Sequence, residues 1–278
     1  MALVPFPSQT PQPAPDDDFD PDRDYEGGVD EAGGKMSFLE HLDELRRRLI
    51  IAVVAVLVGF VAAWFFIEPL FEFIMRPLQE ALPPGGTLVY TEPTEAFTLY
   101  IKIAAIAGLI LASPVVMAQV WMFIAPGLYA NEKKLAIPFV LLSSIGFVGG
   151  AAFSHYIVFP MAWKFFGSFT QDFMTFMPRV EPAFGLYIKL LLVFGLIFQM
   201  PTIVLFLARM GVITARFMLK HFKYAVLIIF ILAAVLTPTA DAFVQTALAG
   251  PMIGLYLISV GLAWLFGKKK ATEDEEAD

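Results

Sequence analysis

The side chains able to do chemistry are few, and their types narrow the kind. The 278 residues contain no cysteine, which excludes disulfides, thiolate catalysis and Cys-ligated zinc or iron–sulfur sites. The histidines are His41, His155 and His221, each without a companion ligand nearby in sequence. No His-Glu-x-x-His, Gly-x-Ser-x-Gly or Walker loop occurs. No enzyme, metal centre or cofactor is therefore expected, and His155 reads as a hydrogen-bonded side chain near a membrane surface. What remains is ion pairing and hydrogen bonding. Glu44 stands beside Arg46, Arg47 and Arg48, a carboxylate that a plain cationic membrane anchor does not need. A second carboxylate, Glu132, follows the run Trp121-Met122-Phe123-Ile124-Ala125-Pro126-Gly127-Leu128-Tyr129. Gln119, Gln199 and the pair Ser143-Ser144 interrupt apolar runs, where a polar group is costly and faces protein or water. The Gln199 amide has two donors and an acceptor, so it serves either as glue between helices or as a docking point for a partner's transmembrane helix.

The elements that must position these residues are membrane spans. The chain is 58% apolar, with 28 Phe against only 19 Lys and Arg and 26 Asp and Glu, and its mean hydropathy is +0.70. Soluble domains run at about 45–50% apolar and about 25% charged. The apolar residues here fall into six segments: Leu49 to Ile67, Ile103 to Ile124, Leu135 to Phe159, Phe184 to Leu207, Ala225 to Leu236 and Phe243 to Phe266. The sequence therefore predicts an all-α integral membrane protein of six transmembrane helices. Pro114, Pro138, Pro201 and Pro251 fall inside or near the ends of the segments, where kinks are tolerated, so the bundle is expected to be curved and concave. The first segment reaches about 28 Å, enough for a hydrocarbon core of about 30 Å, whereas the fifth reaches only about 18 Å. Local bilayer thinning is expected around the fifth and sixth spans.

Ser37 to Arg48 reads as a helix entry. Ser37 can cap, Glu40 completes a capping box, and Phe38, Leu42, Leu45 and Leu49 recur at helical spacing. Residues 1–35, rich in Pro and Asp, read as an acidic disordered tail; 36–267 form the membrane domain and 268–278 a charged tail. The first 35 residues lack the basic and apolar regions of a cleavable signal peptide. With six spans both tails share a side. That side carries 14 Lys and Arg against five (Arg76, Lys102, Lys164, Arg179 and Lys189) on the other, so the positive-inside rule places both termini in the cytoplasm. Two outer segments have character. Leu70, Phe71, Ile74, Leu78 and Leu82 predict a short amphipathic helix at the interface before Pro83-Pro84-Gly85-Gly86, and Phe166, Phe169, Phe173 and Phe176 form a second helical stripe. Both stripes suit capping the bundle or docking a partner. Gly146 with Gly150 and Gly250 with Gly254 fit Gly-x-x-x-Gly, a pattern that permits close helix approach.

Four motifs, in order, carry a resemblance: His-Leu-x-Glu-Leu-Arg-x-Arg at 41–48, Trp-x-Phe-Ile-Ala-Pro-Gly-Leu-Tyr-x-x-Glu at 121–132, Phe-Gly-x-x-Phe-Gln-x-Pro at 194–201 and Leu-Thr-Pro-x-x-Asp at 236–241. Over residues 36 to 266 the chain closely resembles TatC, the six-span receptor subunit of the twin-arginine protein translocase. The resemblance implies recognition of the paired-arginine signal peptides of folded proteins by Glu44 and Glu132, with Phe123 and Arg46 beside them. It also implies docking of small single-span subunits of the TatA/TatB type at Gln199, outer-loop family positions at Pro77 and Asp241, a homo-oligomeric complex, and export driven by the proton-motive force. The implied place is a bacterial or archaeal cytoplasmic membrane; the partners are cargo, small subunits and lipid, and no nucleic acid. Asp241 could instead cap the sixth span. Gln at 199, where relatives have Glu or Gln, removes an ionisable group. His155 stands where relatives often have an aromatic residue. From the residues alone, a six-span small-molecule transporter is the rival, although no internal repeat or paired mid-span charge supports it.

Overall fold

The computed structural model describes residues 38–80, 82, 86–124, 129–168, 177–236 and 242–267, with side chains throughout except at Phe38, 129–136 and Phe243. Both tails, the Ser37 cap, most of the Pro-Pro-Gly-Gly turn, the stripe positions Phe169, Phe173 and Phe176, and Asp241 lie outside the described residues. The chain divides after His41. Of the first unit, only the opening turn of a helix, Phe38–His41, is described. The second unit runs from Leu42 onward.

Ten helices are described: α1 (Phe38–Phe65), α2 (Ile67–Glu80), α3 (Glu95–Ile124), α4 (Tyr129–Phe153), α5 (Phe159–Gly167), α6 (Val180–Ile197), α7 (Met200–Arg209), α8 (Ala215–Lys220), α9 (Phe222–Leu236) and α10 (Ala242–Phe266). A π turn, Ser154–Val158, joins α4 to α5 without a break. Among the described residues there is no strand, only an isolated bridge between Val89 and Arg179. Five helical paths are long and apolar enough to cross a membrane: Leu39–Phe65, Glu95–Ile124, Ile137–Gly167, Val180–Arg209 and Val244–Phe266. Phe222–Leu236 is a shorter apolar sixth, so the chain is the six-span, all-α membrane protein its hydropathy predicts.

The structure adjusts several boundaries. The first span ends at Phe65, and Ile67, assigned to it from hydropathy, opens α2. The third path runs on to Gly167 because the π turn absorbs one residue without ending the helix. The fourth breaks at Phe198 and Gln199, and Pro201 sits in the first turn of α7, where its missing N–H costs nothing. The stripe on α2 exists as a helix, but it does not simply lie on headgroups: Ile74 and Leu78 are buried in the main core with Phe159, Phe184 and Leu190. The fifth span begins earlier than hydropathy indicates, at Phe222, and its 15 residues reach about 22 Å, still short of a core of about 30 Å. A nanodisc density map is expected to show the lipid belt thinned beside α9 and α10; a belt of uniform thickness would count against this.

Small residues set the closest crossings. A Cβ on Gly59 of α1 would lie 2.4 Å from the carbonyl oxygen of Gly108 on α3, and one on Gly150 of α4 would lie 2.4 Å from the carbonyl oxygen of Phe194 on α6. Gly146 and Gly150 thus bring α4 against α6 within this chain, whereas Gly250 and Gly254 face open space.

At the end of the fold where α3 and α6 begin, two connections are fastened together. Val89 N–H donates to Pro178 O (3.1 Å) and Val180 N–H to Val89 O (3.0 Å). The buried Glu95 carboxylate accepts from Thr91 N–H (3.3 Å), Thr91 Oγ1 (3.2 Å) and Arg179 Nη2. This carboxylate holds Arg179 further above its already high ordinary pKa. Lys102 and Glu181 pair at 3.0 Å in a more exposed position. Arg179→Ala removes the guanidinium partner of the Glu95 carboxylate and is expected to lower stability more than loss of the exposed pair does. Lys102→Ala breaks an exposed pair and is expected to cost under about 1 kcal/mol. Thermal melts of the two variants in detergent check this ranking, and equal melting points would refute it.

Candidate functional site

The site forms where α1 meets the C-terminal end of α3. Glu44 and Arg48 lie one helical turn apart on α1 and pair at 3.2 Å, Arg48 Nη2 to Glu44 Oε1. Arg48 Nη1 donates to Gln119 Oε1 (3.3 Å) and lies 3.4 Å from Met122 Sδ. Gln119 is buried near the end of α3, where the helix dipole presents its negative pole to a guanidinium. The second Glu44 oxygen, Oε2, is buried and has no hydrogen-bond partner among the described residues, and neither has Arg48 Nε. A carboxylate with one oxygen engaged and the other free can accept a further guanidinium hydrogen bond.

The other predicted site residues are distributed around this pair. Phe123 follows Met122 on α3 and is half-buried. Glu132 lies in the first turn of α4, which opens five residues after α3 ends, and its side chain is outside the described residues. The structure does not bring Arg46 to Glu44. Two positions on, it is about 200° around the helix, exposed, and lines a shallow surface hollow with Asp43, Arg47, Ile50 and Ile51.

Gln199 sits in the break between α6 and α7, buried. Its Nε2 donates to Ser143 O (2.9 Å) and, more weakly, to Gly195 O (3.4 Å). Ser143 Oγ accepts from Trp121 Nε1, and the Trp121 ring packs on Phe139 and Phe206. Three spans are therefore joined by one polar chain, the glue that the amide chemistry allowed. His155 is likewise hydrogen-bonded as expected: its Nδ1 lies 3.0 Å from Tyr187 Oη and its ring stacks on Phe73. Pro77 is buried in α2.

In the sequence Arg48 is one of three consecutive arginines beside Glu44, and Gln119 is one of several polar residues that interrupt apolar runs. Their spacing on separate helices carried no signal that they meet. The i, i+4 spacing of Glu44 and Arg48 did carry one, since such pairs face each other on a helix. No group of three or more His, Asp or Glu able to hold a metal occurs among the described residues.

Fold and site together define a polytopic α-helical membrane protein with a part-buried ion pair between helices at one end of its spans. The family profile described as Sec-independent protein translocase protein (TatC) matches residues 40–251. Relatives of that name are 42% identical over 245 residues in Koribacter versatilis, spanning 87% of this chain and 90% of the relative, and 43% identical over 243 residues in Desulforapulum autotrophicum, again spanning 87% and 90%. A crystal structure of the twin-arginine translocase receptor TatC superposes with a TM-score of 0.70 at 39% identity, covering 81% of this chain and 98% of that one. A second, of the receptor in the detergent DDM, gives 0.72 at 37% identity, covering 83% and 100%. The chain belongs to the TatC family of Sec-independent protein translocase proteins. Membership replaces the small-molecule transporter reading with protein transport.

Proposed function

We propose that this chain is the receptor subunit of a twin-arginine translocase in a bacterial inner membrane, with both termini cytoplasmic. It binds paired-arginine signal peptides of folded proteins through Glu44 and Glu132, with Phe123 offering an apolar contact and Arg46 a flanking charge. The observation that carries this reading is the half-satisfied Glu44 carboxylate: Arg48 occupies Oε1, and Oε2 is buried without a partner among the described residues. A guanidinium binds such an oxygen through directional charge-assisted hydrogen bonds, and a lysine cannot reproduce its planar fork. Single-span subunits of the TatA/TatB type dock along Gln199 and the last two spans, copies of the receptor assemble together, and the proton-motive force drives transport with no bond chemistry in this chain. The short α9 supports the docking element, because neighbouring helices shield a span that cannot reach across hydrocarbon alone. Because the Gln199 Nε2 is engaged by Ser143 O, a docking helix would meet its remaining acceptor.

The test is binding of a labelled signal peptide to the full chain in nanodiscs, with Arg-Arg compared with Lys-Lys at the pair. Clear preference for Arg-Arg supports the receptor role. Equal binding of the two peptides would overturn it.

A further inference from the structure

Far from Glu44 along the chain's spans, α2, the π turn and α5 enclose a cavity of about 340 Å³. Its wall carries Arg76 and Glu80 of α2, His155 and Tyr156 of the π turn, and Pro160 and Lys164 at and beyond the start of α5. Two cations face one carboxylate. Arg76 and Glu80 are one turn apart, 4.0 Å between charged atoms, with both side chains more than 70% exposed, so the pair is weak and most of the five Arg76 donors stay available. Lys164 makes no ion pair among the described residues. His155 Nδ1 is taken by Tyr187, which fixes the ring in the wall. The π turn is a local departure from regular helix, and such turns occur often at functional sites.

Depth indicates which anion fits. The apolar part of the third span starts at Leu135, directly after Lys133 and Lys134, and its helical path continues to Gly167. At 1.5 Å per residue a hydrocarbon core of about 30 Å is crossed by about residue 155, so Pro160 and Lys164 stand at headgroup level. Immediately below, Phe73, Tyr156 and Ile157 are exposed large apolar side chains, with Phe73 stacked on His155 and edge-on to Tyr156. A phosphate ester held by the two cations would have acyl chains running down this aromatic and aliphatic flank.

We propose that this cavity is a phospholipid site in which Arg76 and Lys164 hold the headgroup phosphate. A free phosphate offers the same charges, but it would leave the apolar flank unused. The proposal is independent of the signal-peptide reading, since no residue is shared.

The experiment is titration of phosphatidylglycerol into the detergent-purified full chain, with retained lipid counted by native mass spectrometry. Retention is expected to fall at least about fivefold in Arg76→Gln/Lys164→Gln, as two charge-assisted contacts are lost. It should persist in the charge-preserving Arg76→Lys/Lys164→Arg, and in Arg216→Gln/Lys220→Gln, which removes equal charge from α8. Glycerol phosphate should not displace the lipid. Unchanged retention in Arg76→Gln/Lys164→Gln would overturn the site. So would equal losses in both neutralised variants, which would mean only diffuse attraction, and so would displacement by glycerol phosphate, which would mean a free-phosphate site.

Discussion

Replacing Glu44 by Gln is expected to weaken binding of a paired-arginine signal peptide by about ten- to a hundredfold, the equivalent of the 1.5–3 kcal/mol carried by a hydrogen bond to a charged group. Gln keeps the size of the side chain but removes the charge that makes the guanidinium contact strong and turns one of the two acceptor oxygens into a donor. Arg48 retains its contacts to Gln119 and Met122 in the variant, so the loss reports the peptide contact and not the collapse of the helix pair. The Lys-Lys peptide, lacking the fork, should lose less. Glu132→Gln is expected to act in the same direction, and the double variant should abolish the Arg-Arg preference. Titration of a labelled peptide in nanodiscs measures all four combinations. Unchanged affinity in both single variants and the double would remove this mechanism.

The largest stability effects are expected at the helix crossings. Gly108→Ala places a methyl 2.4 Å from the Phe60 backbone nitrogen, and Gly150→Ala places one 2.4 Å from the Phe194 carbonyl oxygen. Backbone atoms cannot turn aside as a side-chain tip can, so the helices must separate. Overpacking of this kind costs about 1–3 kcal/mol, occasionally more. Gly250→Ala and Gly254→Ala meet nothing within 4 Å and are expected to change stability by no more than about 0.5 kcal/mol. Denaturation of the purified variants in mixed detergent separates the two pairs. Similar losses at Gly150 and Gly254 would show that the Gly-x-x-x-Gly spacing itself, and not the backbone contact, governs stability.

This contrast marks the reach of sequence reasoning. Gly146–Gly150 and Gly250–Gly254 carry the same pattern, yet only the first closes on a neighbour in this chain. Gly59 and Gly108 form an equally close crossing with no pattern at all, because their proximity depends on how α1 and α3 meet. The sequence also placed Gln199 correctly as a polar group needing partners. Which partners it takes, Ser143 O and Gly195 O, depends on the fourth path breaking beside α4.

What the sequence determined by itself was the medium and the cast. Runs of apolar residues, scarce charge and absent cysteine dictate a helical membrane protein without thiol chemistry, since hydrocarbon demands internally satisfied backbone hydrogen bonds over a fixed length. The four motifs named the family that the comparisons then established. Tertiary structure decided the groupings: Arg48 between Glu44 and Gln119, the buried Glu95 clamped by Arg179, and Arg76 and Lys164 in the lining of one cavity. Hydropathy repeats along one chain record which face of a helix is apolar. They hold no information on which neighbour that face meets, or at what height two polar side chains from different helices come level, because helix packing sets both.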